Sequence, residues 1–291
     1  MSIPNPQFEP TLCFPDGEKS CFACCPPIRP SGYEHIQYKN EIQRMLRENT
    51  SAYKTRKEGV SPITGYSCWA MGYLDKACKL VGCLLHPAQN EGKDLRFSVD
   101  YGDKCRRENC PESKTFLELD VNVRRFWLHL ADGLDPFAYS SKRINPIFKM
   151  MGWGPGLLGL ITLNEDGRLF TRESFFRAYP FFSTRLNPRA NAYLLNQLVG
   201  ENRVDMLKTE SFRERFERFS RRLSGGLKQI SSPMSGTQYT HRLKLDSRFL
   251  DFLRLSVGIS QIEKEHALRL KGKVDRAIGE FVNGKENHQF H

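Results

Sequence analysis

Beyond Cys110 the chain has no cysteine, although it runs to 291 residues and holds nine in the part before. Long apolar runs are missing too. The most apolar stretch, Leu157–Leu163, falls far short of the roughly 20 residues a membrane-spanning helix needs, so no membrane partner is expected. The opening MSIPNPQFEP lacks a basic region followed by an apolar one, so a secretory signal is not expected and a cytoplasmic location is. Familiar catalytic signatures are also absent: there is no G-x4-G-K-[ST] phosphate loop, no H-E-x-x-H and no G-x-S-x-G elbow. Nothing groups carboxylates for acid–base work, so whether the protein is an enzyme stays open.

What is present is a chain of ordinary globular composition, 39% hydrophobic and 26% charged, with an uneven charge distribution. Residues 1–110 hold 15 basic and 13 acidic side chains; residues 111–291 hold 29 and 20. Most of the net charge of +11 therefore lies beyond the last cysteine. This predicts two domains, a cysteine-rich module over 1–110 and a basic, mainly helical domain over 111–291.

Capping signals and apolar spacing supply the elements. Ser31 with Glu34 forms a capping box ahead of His35, Ile36, Tyr38, Ile42, Met45 and Leu46, which predicts a helix over 32–49. Residues 51–103 are polar and punctuated by glycine, so their structure is expected to depend on metal ligation. Pro111 suits a first helical position, and Phe116, Leu119, Val123, Phe126, Trp127 and Leu130 predict one helix running to Gly133. Beyond Asp135-Pro136, Leu157–Leu163 and Arg168–Phe170 flank Asn164-Glu165-Asp166-Gly167 and predict a β-hairpin. Helices follow from Asn187-Pro188 to Gly200, from Ser211 to Gly225-Gly226, and from Ser260 to Asn283-Gly284. Gly154-Pro155-Gly156-Leu157-Leu158-Gly159 satisfies G-x-G-x-x-G, but it reads as a turn feeding the hairpin rather than a dinucleotide loop.

The cysteines carry the chemistry. They fall as Cys13, Cys21-x2-Cys24-Cys25, Cys68, Cys78-x4-Cys83 and Cys105-x4-Cys110. Two cysteines two to four residues apart can face one ion from a single turn, and a closed tetrahedral site needs four donors at about 2.3 Å. The count suffices for two four-thiolate sites, or for one site plus redox-active thiols. Adjacent Cys24 and Cys25 point differently, so one of them serves a second centre or none. The expected ligands are Cys21, Cys24, Cys25, Cys68, Cys78, Cys83, Cys105 and Cys110; Cys13 and His86 suit packing or a surface loop as well as ligation. Zinc fits the paired spacings. An iron–sulfur cluster is the alternative, favoured by Cys25-Pro26 and Cys110-Pro111 because some cluster motifs end in Cys-Pro.

Cys21-Phe22-Ala23-Cys24-Cys25, then Tyr73-Leu74-Asp75-x2-Cys78 and Cys83-Leu84-Leu85-His86-Pro87, resembles the YkgJ-type cysteine-cluster family. The resemblance covers about residues 13–110 and implies chelation of zinc or iron, with Cys21, Cys24, Cys25, Cys78, Cys83 and Cys105 at ligand positions. His86-Pro87 stands where the family has Arg-Pro, the spacing from Cys78 differs, and Cys83 and Cys110 are additional. The family implies metal binding and no reaction.

The basic half has one region with a possible partner. Between Arg203 and Arg254 twelve Lys/Arg stand against six Asp/Glu. On the helix from Ser211, Arg213, Arg218, Arg221 and Arg222 lie away from the phenylalanine stripe. Such a face can meet nucleic acid or another polyanion, or it can be a solvated face paired to Glu214 and Glu217. Taken together, the sequence predicts a mainly α protein: a metal-stabilised, loop-rich cysteine module plus a helical domain containing one β-hairpin. Its expected function is metal binding at a structural multi-cysteine centre. The alternatives are an iron–sulfur oxidoreductase-type enzyme and a metal-stabilised nucleic-acid-binding protein.

Overall fold

The structure is a computed structural model, and it describes residues 9–25, 30, 32–53, 55, 59–64, 68–107, 110–166, 168–231 and 238–284. It is mainly helical, with one two-stranded antiparallel sheet among the described residues. The chain forms two compact units, 1–148 and 149–291. The sequence puts its division at residue 110; the helices that follow Pro111 lie in the cysteine-bearing unit. No helix among the described residues is long and apolar enough to cross a membrane.

In the first unit a 3-10 turn at His35–Tyr38 leads into α1 (Lys39–Tyr53), which buries Ile42 and Leu46. The helix thus ends four residues later than its apolar spacing suggests, and Ser31 lies outside the described residues. The sheet pairs β1 (Met71–Tyr73) with β2 (Val81–Cys83) in the register Met71↔Cys83, Gly72↔Gly82 and Tyr73↔Val81. Helix α1 sits so close to β1 that a Cβ on Gly72 would come within 2.7 Å of Thr50 Oγ1. That hydroxyl accepts from the Tyr73 amide at 2.8 Å and donates to the Leu46 carbonyl at 2.7 Å. Residues 51–103 therefore do more than await a ligand: Met71, Val81, Leu85 and Val99 share a buried cluster with Phe22, Ile42 and Leu46. Truncating a leucine buried as fully as Leu46 costs about 2–5 kcal/mol.

The remainder of this unit is short helices: α2 (Gly102–Arg107), α3 (Pro111–Leu117), α4 (Val121–Leu128) and α5 (Pro136–Ser140). The single helix expected after Pro111 is broken at Asp120, whose carboxylate accepts from the Asn122 amide at 2.8 Å and starts a new helix. Asp135 caps α5 in the same way, accepting from the Phe137 and Ala138 amides. Helix α6 (Pro146–Met151) carries the chain into the second unit.

There the hairpin expected around Asn164–Gly167 is not formed. Leu157–Leu163 lies within α7 (Pro155–Asn164), where Leu157, Leu158 and Ile161 are buried at helical spacing while Leu163 is exposed. A continuous apolar run suits a buried helix face as well as a strand, and Pro155 at the first helical position decides for the helix. The one hairpin among the described residues lies in the cysteine-bearing unit instead. Gly154, at φ 94°, thus opens a helix, but a helix rather than a strand precedes it, which is not the dinucleotide arrangement.

Helices α8 (Arg172–Ala178), α9 (Pro188–Leu198), α10 (Glu210–Ser231), α11 (Ser247–Phe252) and α12 (Lys264–Val282) complete the unit. Helix α10 begins before Ser211, with Thr209 Oγ1 facing the Phe212 amide, and it runs through Gly225-Gly226. Two interior glycines disfavour a helix by about 1 kcal/mol each. Burial of Leu227 on the stripe begun by Phe212, Phe216, Phe219 and Leu223 offsets that cost. Helix α12 starts after Glu263 rather than at Ser260, because Ser260 and Gln261 bridge back to Thr240 and Tyr239.

Candidate metal centre

The nine cysteines are all reduced thiols in the first unit. The segment 13–25 is held from several sides. The Cys21 amide donates to the Cys13 carbonyl at 2.8 Å, and Asp16 Oδ1 accepts from the Glu18 and Lys19 amides, closing the turn between them. Ser20, fully buried, exchanges two hydrogen bonds with the backbone of Val81 on β2. The Phe22 amide donates to Ser140 Oγ at 3.1 Å, and the Cys25 amide to the Phe22 carbonyl. Buried His35 donates from Nε2 to the Cys25 carbonyl and accepts at Nδ1 from the Tyr33 hydroxyl. The Cys21–Cys25 turn therefore has little freedom.

Each other cysteine is positioned by its own element. Cys68 precedes β1, its carbonyl accepting from the Met71 amide and from Asn49 Nδ2. Cys83 ends β2, opposite Met71. Cys25 and Cys83 pack on the apolar cluster that includes Cys68. Cys105 lies in α2, and its carbonyl accepts from Arg96 Nη1 at 3.2 Å; Arg96 is gripped by Asp94 through Nε and Nη2 at 2.8 and 2.7 Å. A Cβ on Gly102 would meet the Arg96 carbonyl at 2.2 Å, so only glycine lets α2 approach this closely. Cys110 precedes α3 and donates to Glu112 Oε2 at 2.7 Å, and Lys142 reaches the same carboxylate. Cys13 Sγ lies 3.9 Å from Ser113 Oγ in the first turn of α3.

Two groups result. Cys21 is within electrostatic reach of Cys24, Cys13 and Cys110, and Cys13 of Cys24. Cys25 is within reach of Cys24, Cys83 and Cys68; Cys68 of Cys83 and Cys105; and Cys83 of Cys105. Adjacent Cys24 and Cys25 join the groups. Burial pushes the Cys68 and Cys110 thiols up to about 12, with neighbouring thiols adding to the first and Glu112 to the second. Cys21 rises well above the thiol range for the same reason, and Cys25 through its hydrogen bond with Cys24 and its burial. Burial, and then repulsion between neighbouring thiolates, keeps Cys13, Cys21, Cys25, Cys68, Cys83, Cys105 and Cys110 protonated at neutral pH without metal. One cation attends each group: Arg96 beside Cys83 and Cys105, and Lys142 beside Cys110.

As the side chains stand, no three Cys, His, Asp or Glu among the described residues converge to hold a metal ion. The eight sulfurs share a region without meeting at a point. In donor chemistry they fit a thiophilic metal, being soft and reduced.

The remaining sequence candidates stand apart. Cys78 is exposed at the β1–β2 turn with φ 55°, away from its partner in spacing, Cys83. His86 caps a 3-10 turn, its Nδ1 accepting from the Ala88 amide, and the charges bearing on it are Arg96 and Asp94. On α10, Arg213 pairs with Glu210 and Arg221 with Glu217, leaving Arg218 and Arg222 exposed. That is the pairing of a solvated helix face. Spacing alone left Cys13 ambiguous, and it gave no sign of Ser20, His35 and Arg96, which hold the cysteine-bearing backbone.

Comparison of the chain with protein-family models, curated proteins and solved structures finds no match. The likeness to the YkgJ-type pattern therefore rests on the cysteine motifs themselves.

Proposed function

We propose that the first unit is a thiolate metal-binding module with two four-cysteine zinc centres: Cys13, Cys21, Cys24 and Cys110 in one, and Cys25, Cys68, Cys83 and Cys105 in the other. The observation that carries this reading is that eight reduced thiols lie within electrostatic reach of one another as two sets joined through Cys24 and Cys25, Cys24 also reaching Cys105. Zinc bound there would be structural, tying the segments around 13–25, 68–83 and 105–110, so that binding and folding reinforce each other. Arg96 and Lys142 temper the charge of four thiolates. A zinc thiolate site needs reduced cysteine, which goes with a cytoplasmic location. The Arg213–Arg222 face is left out of this function, since two of its four guanidinium groups are closed onto glutamates.

The test is metal analysis with visible absorption on full-length protein purified anaerobically. About two equivalents of zinc in colourless protein is the expected result. Brown protein carrying iron and sulfide assigns the thiols to a cluster and overturns zinc. Metal-free protein of undiminished stability overturns the metal reading altogether.

A further inference from the structure

The ninth cysteine marks a different place. A cleft of about 320 Å³ opens in the first unit beside the β1–β2 turn, with Lys19, Lys39, Lys79, Tyr73 and Cys78 in its wall and Phe137 among its apolar lining. The volume lies at the lower end of the range for small-molecule sites.

Tyr73 is the unusual member. The residue is 6% exposed, and among the described residues its hydroxyl has no protein hydrogen-bond partner. The hydroxyl opens onto the cleft, so its proton is available to a ligand that accepts it. Burial raises its pKa above the usual phenol range, so it remains a donor at neutral pH.

The three lysines are held by ion pairs, Lys19 to Asp16 at 3.0 Å, Lys39 to Asp135 at 2.7 Å and Lys79 to Glu18 at 3.9 Å, and Lys39 also lies over the Phe137 ring at 5.6 Å. Pairs of this exposure are worth about 0–1 kcal/mol, so the ammonium groups can turn to an incoming anion at little cost. Two of their partners, Glu18 and Asp135, also line the cleft, while Asp16, the partner of Lys19, stands outside its lining. Three ammonium groups and a phenol select an anion, and the apolar wall at Leu134 and Pro136 selects an organic one.

We propose that this cleft binds a small organic anion, a carboxylate or a phosphate monoester, through Lys19, Lys39, Lys79 and the Tyr73 hydroxyl, with its apolar body against Leu134 and Pro136. The site does not use the eight thiols of the metal module, and it holds whether or not they bind zinc.

Cys78 provides the readout, because its exposed thiol lies in the wall. Full-length protein as purified is treated with iodoacetamide, and alkylation of Cys78 is followed by mass spectrometry at low salt. Benzoate and phenyl phosphate are the probes, and benzyl alcohol is the uncharged control. One or both anions are expected to slow Cys78 alkylation saturably, while benzyl alcohol does not. Protection by benzoate alone identifies a carboxylate ligand, and protection by phenyl phosphate alone a phosphate ester. Lys39→Ala with Lys79→Ala should weaken the probe by about tenfold or more, as loss of charge-assisted hydrogen bonds requires. Tyr73→Phe should weaken it several-fold without lowering the unfolding midpoint. No protection by either anion, equal protection by the alcohol, or binding indifferent to the lysine substitutions in a folded variant would overturn the site.

Discussion

Ser20 behaves toward Val81 as a third strand would: its Oγ accepts from the Val81 amide and donates to the Val81 carbonyl, each at 2.7 Å. Through this exchange the Cys21–Cys25 turn is fastened to the strand that ends in Cys83. Two distant parts of the cysteine pattern are thereby joined by a side chain that has no chemistry of its own toward a metal.

Replacing Ser20 with alanine leaves both Val81 groups buried without their partner. The variant should lose at least about 2 kcal/mol of stability, since each unsatisfied buried group costs about 1–3 kcal/mol. Its zinc content should fall with it. Urea unfolding followed by near-ultraviolet circular dichroism, with metal analysis on the same samples, measures both. Unchanged unfolding would mean that the contact is not formed.

Cys13 and Cys78 should respond in opposite ways, although spacing makes Cys78 the stronger candidate ligand. Cys13→Ser removes a member of the first group and is expected to reduce bound zinc by about one equivalent. Cys78→Ser alters an exposed thiol at the hairpin turn and should leave zinc content unchanged. Equal losses in the two variants would show that the grouping is wrong.

Zinc uptake by the reduced, metal-free protein should release protons, about four for each ion bound at neutral pH. The sign follows from the thiol pKa values, which burial and neighbouring thiols raise above the working pH, so each ligand carries a proton that the metal displaces. Affinity should therefore rise with pH. Titration in buffers of different ionisation enthalpy counts the protons, and uptake without release would contradict protonated thiol groups.

In the second unit, the nearly buried Glu165 carboxylate accepts from the Tyr179 hydroxyl and pairs with Lys208 at 3.0 Å. Burial alone would raise its pKa, but Tyr179 and Lys208 outweigh burial and hold it below the usual range. A carboxyl with a lowered folded pKa adds stability above its unfolded value, about 4.3, and that contribution is lost as the pH falls through the folded value. Glu165→Gln should cost on the order of 1–2 kcal/mol at pH 7, and the difference from the native protein should shrink below pH 4. Thermal unfolding across that range gives the answer, and a difference independent of pH would exclude the ionised pair.

Local chemistry made part of this protein legible. Asn187 with Pro188 starts α9 as its cap requires, accepting from the Ala190 amide at 3.2 Å. The phenylalanine stripe of α10 is buried as its spacing demands. Both depend on residues within a turn or two of each other, which is the range over which capping and 3.6-residue periodicity act. The mainly helical class and the gathering of the cysteines in the first part of the chain were likewise open to reading.

What tertiary structure alone decided begins where partners are distant in sequence. The three-residue strands β1 and β2 carry no alternating pattern, and they exist because Thr50 and Ser20 complete their hydrogen bonds from elsewhere. Leu157–Leu163 became a helix because a continuous apolar run does not specify its own period. The grouping of the thiols is of the same kind. Spacing limits how far apart Cys105 and Cys110 can be, but not which way they face. Helix α2 places Cys105 within electrostatic reach of Cys68 and Cys83, while the start of α3 places Cys110 within reach of Cys21. Direction in space comes from packing between remote segments, and that is the part of the cysteine pattern no spacing could supply.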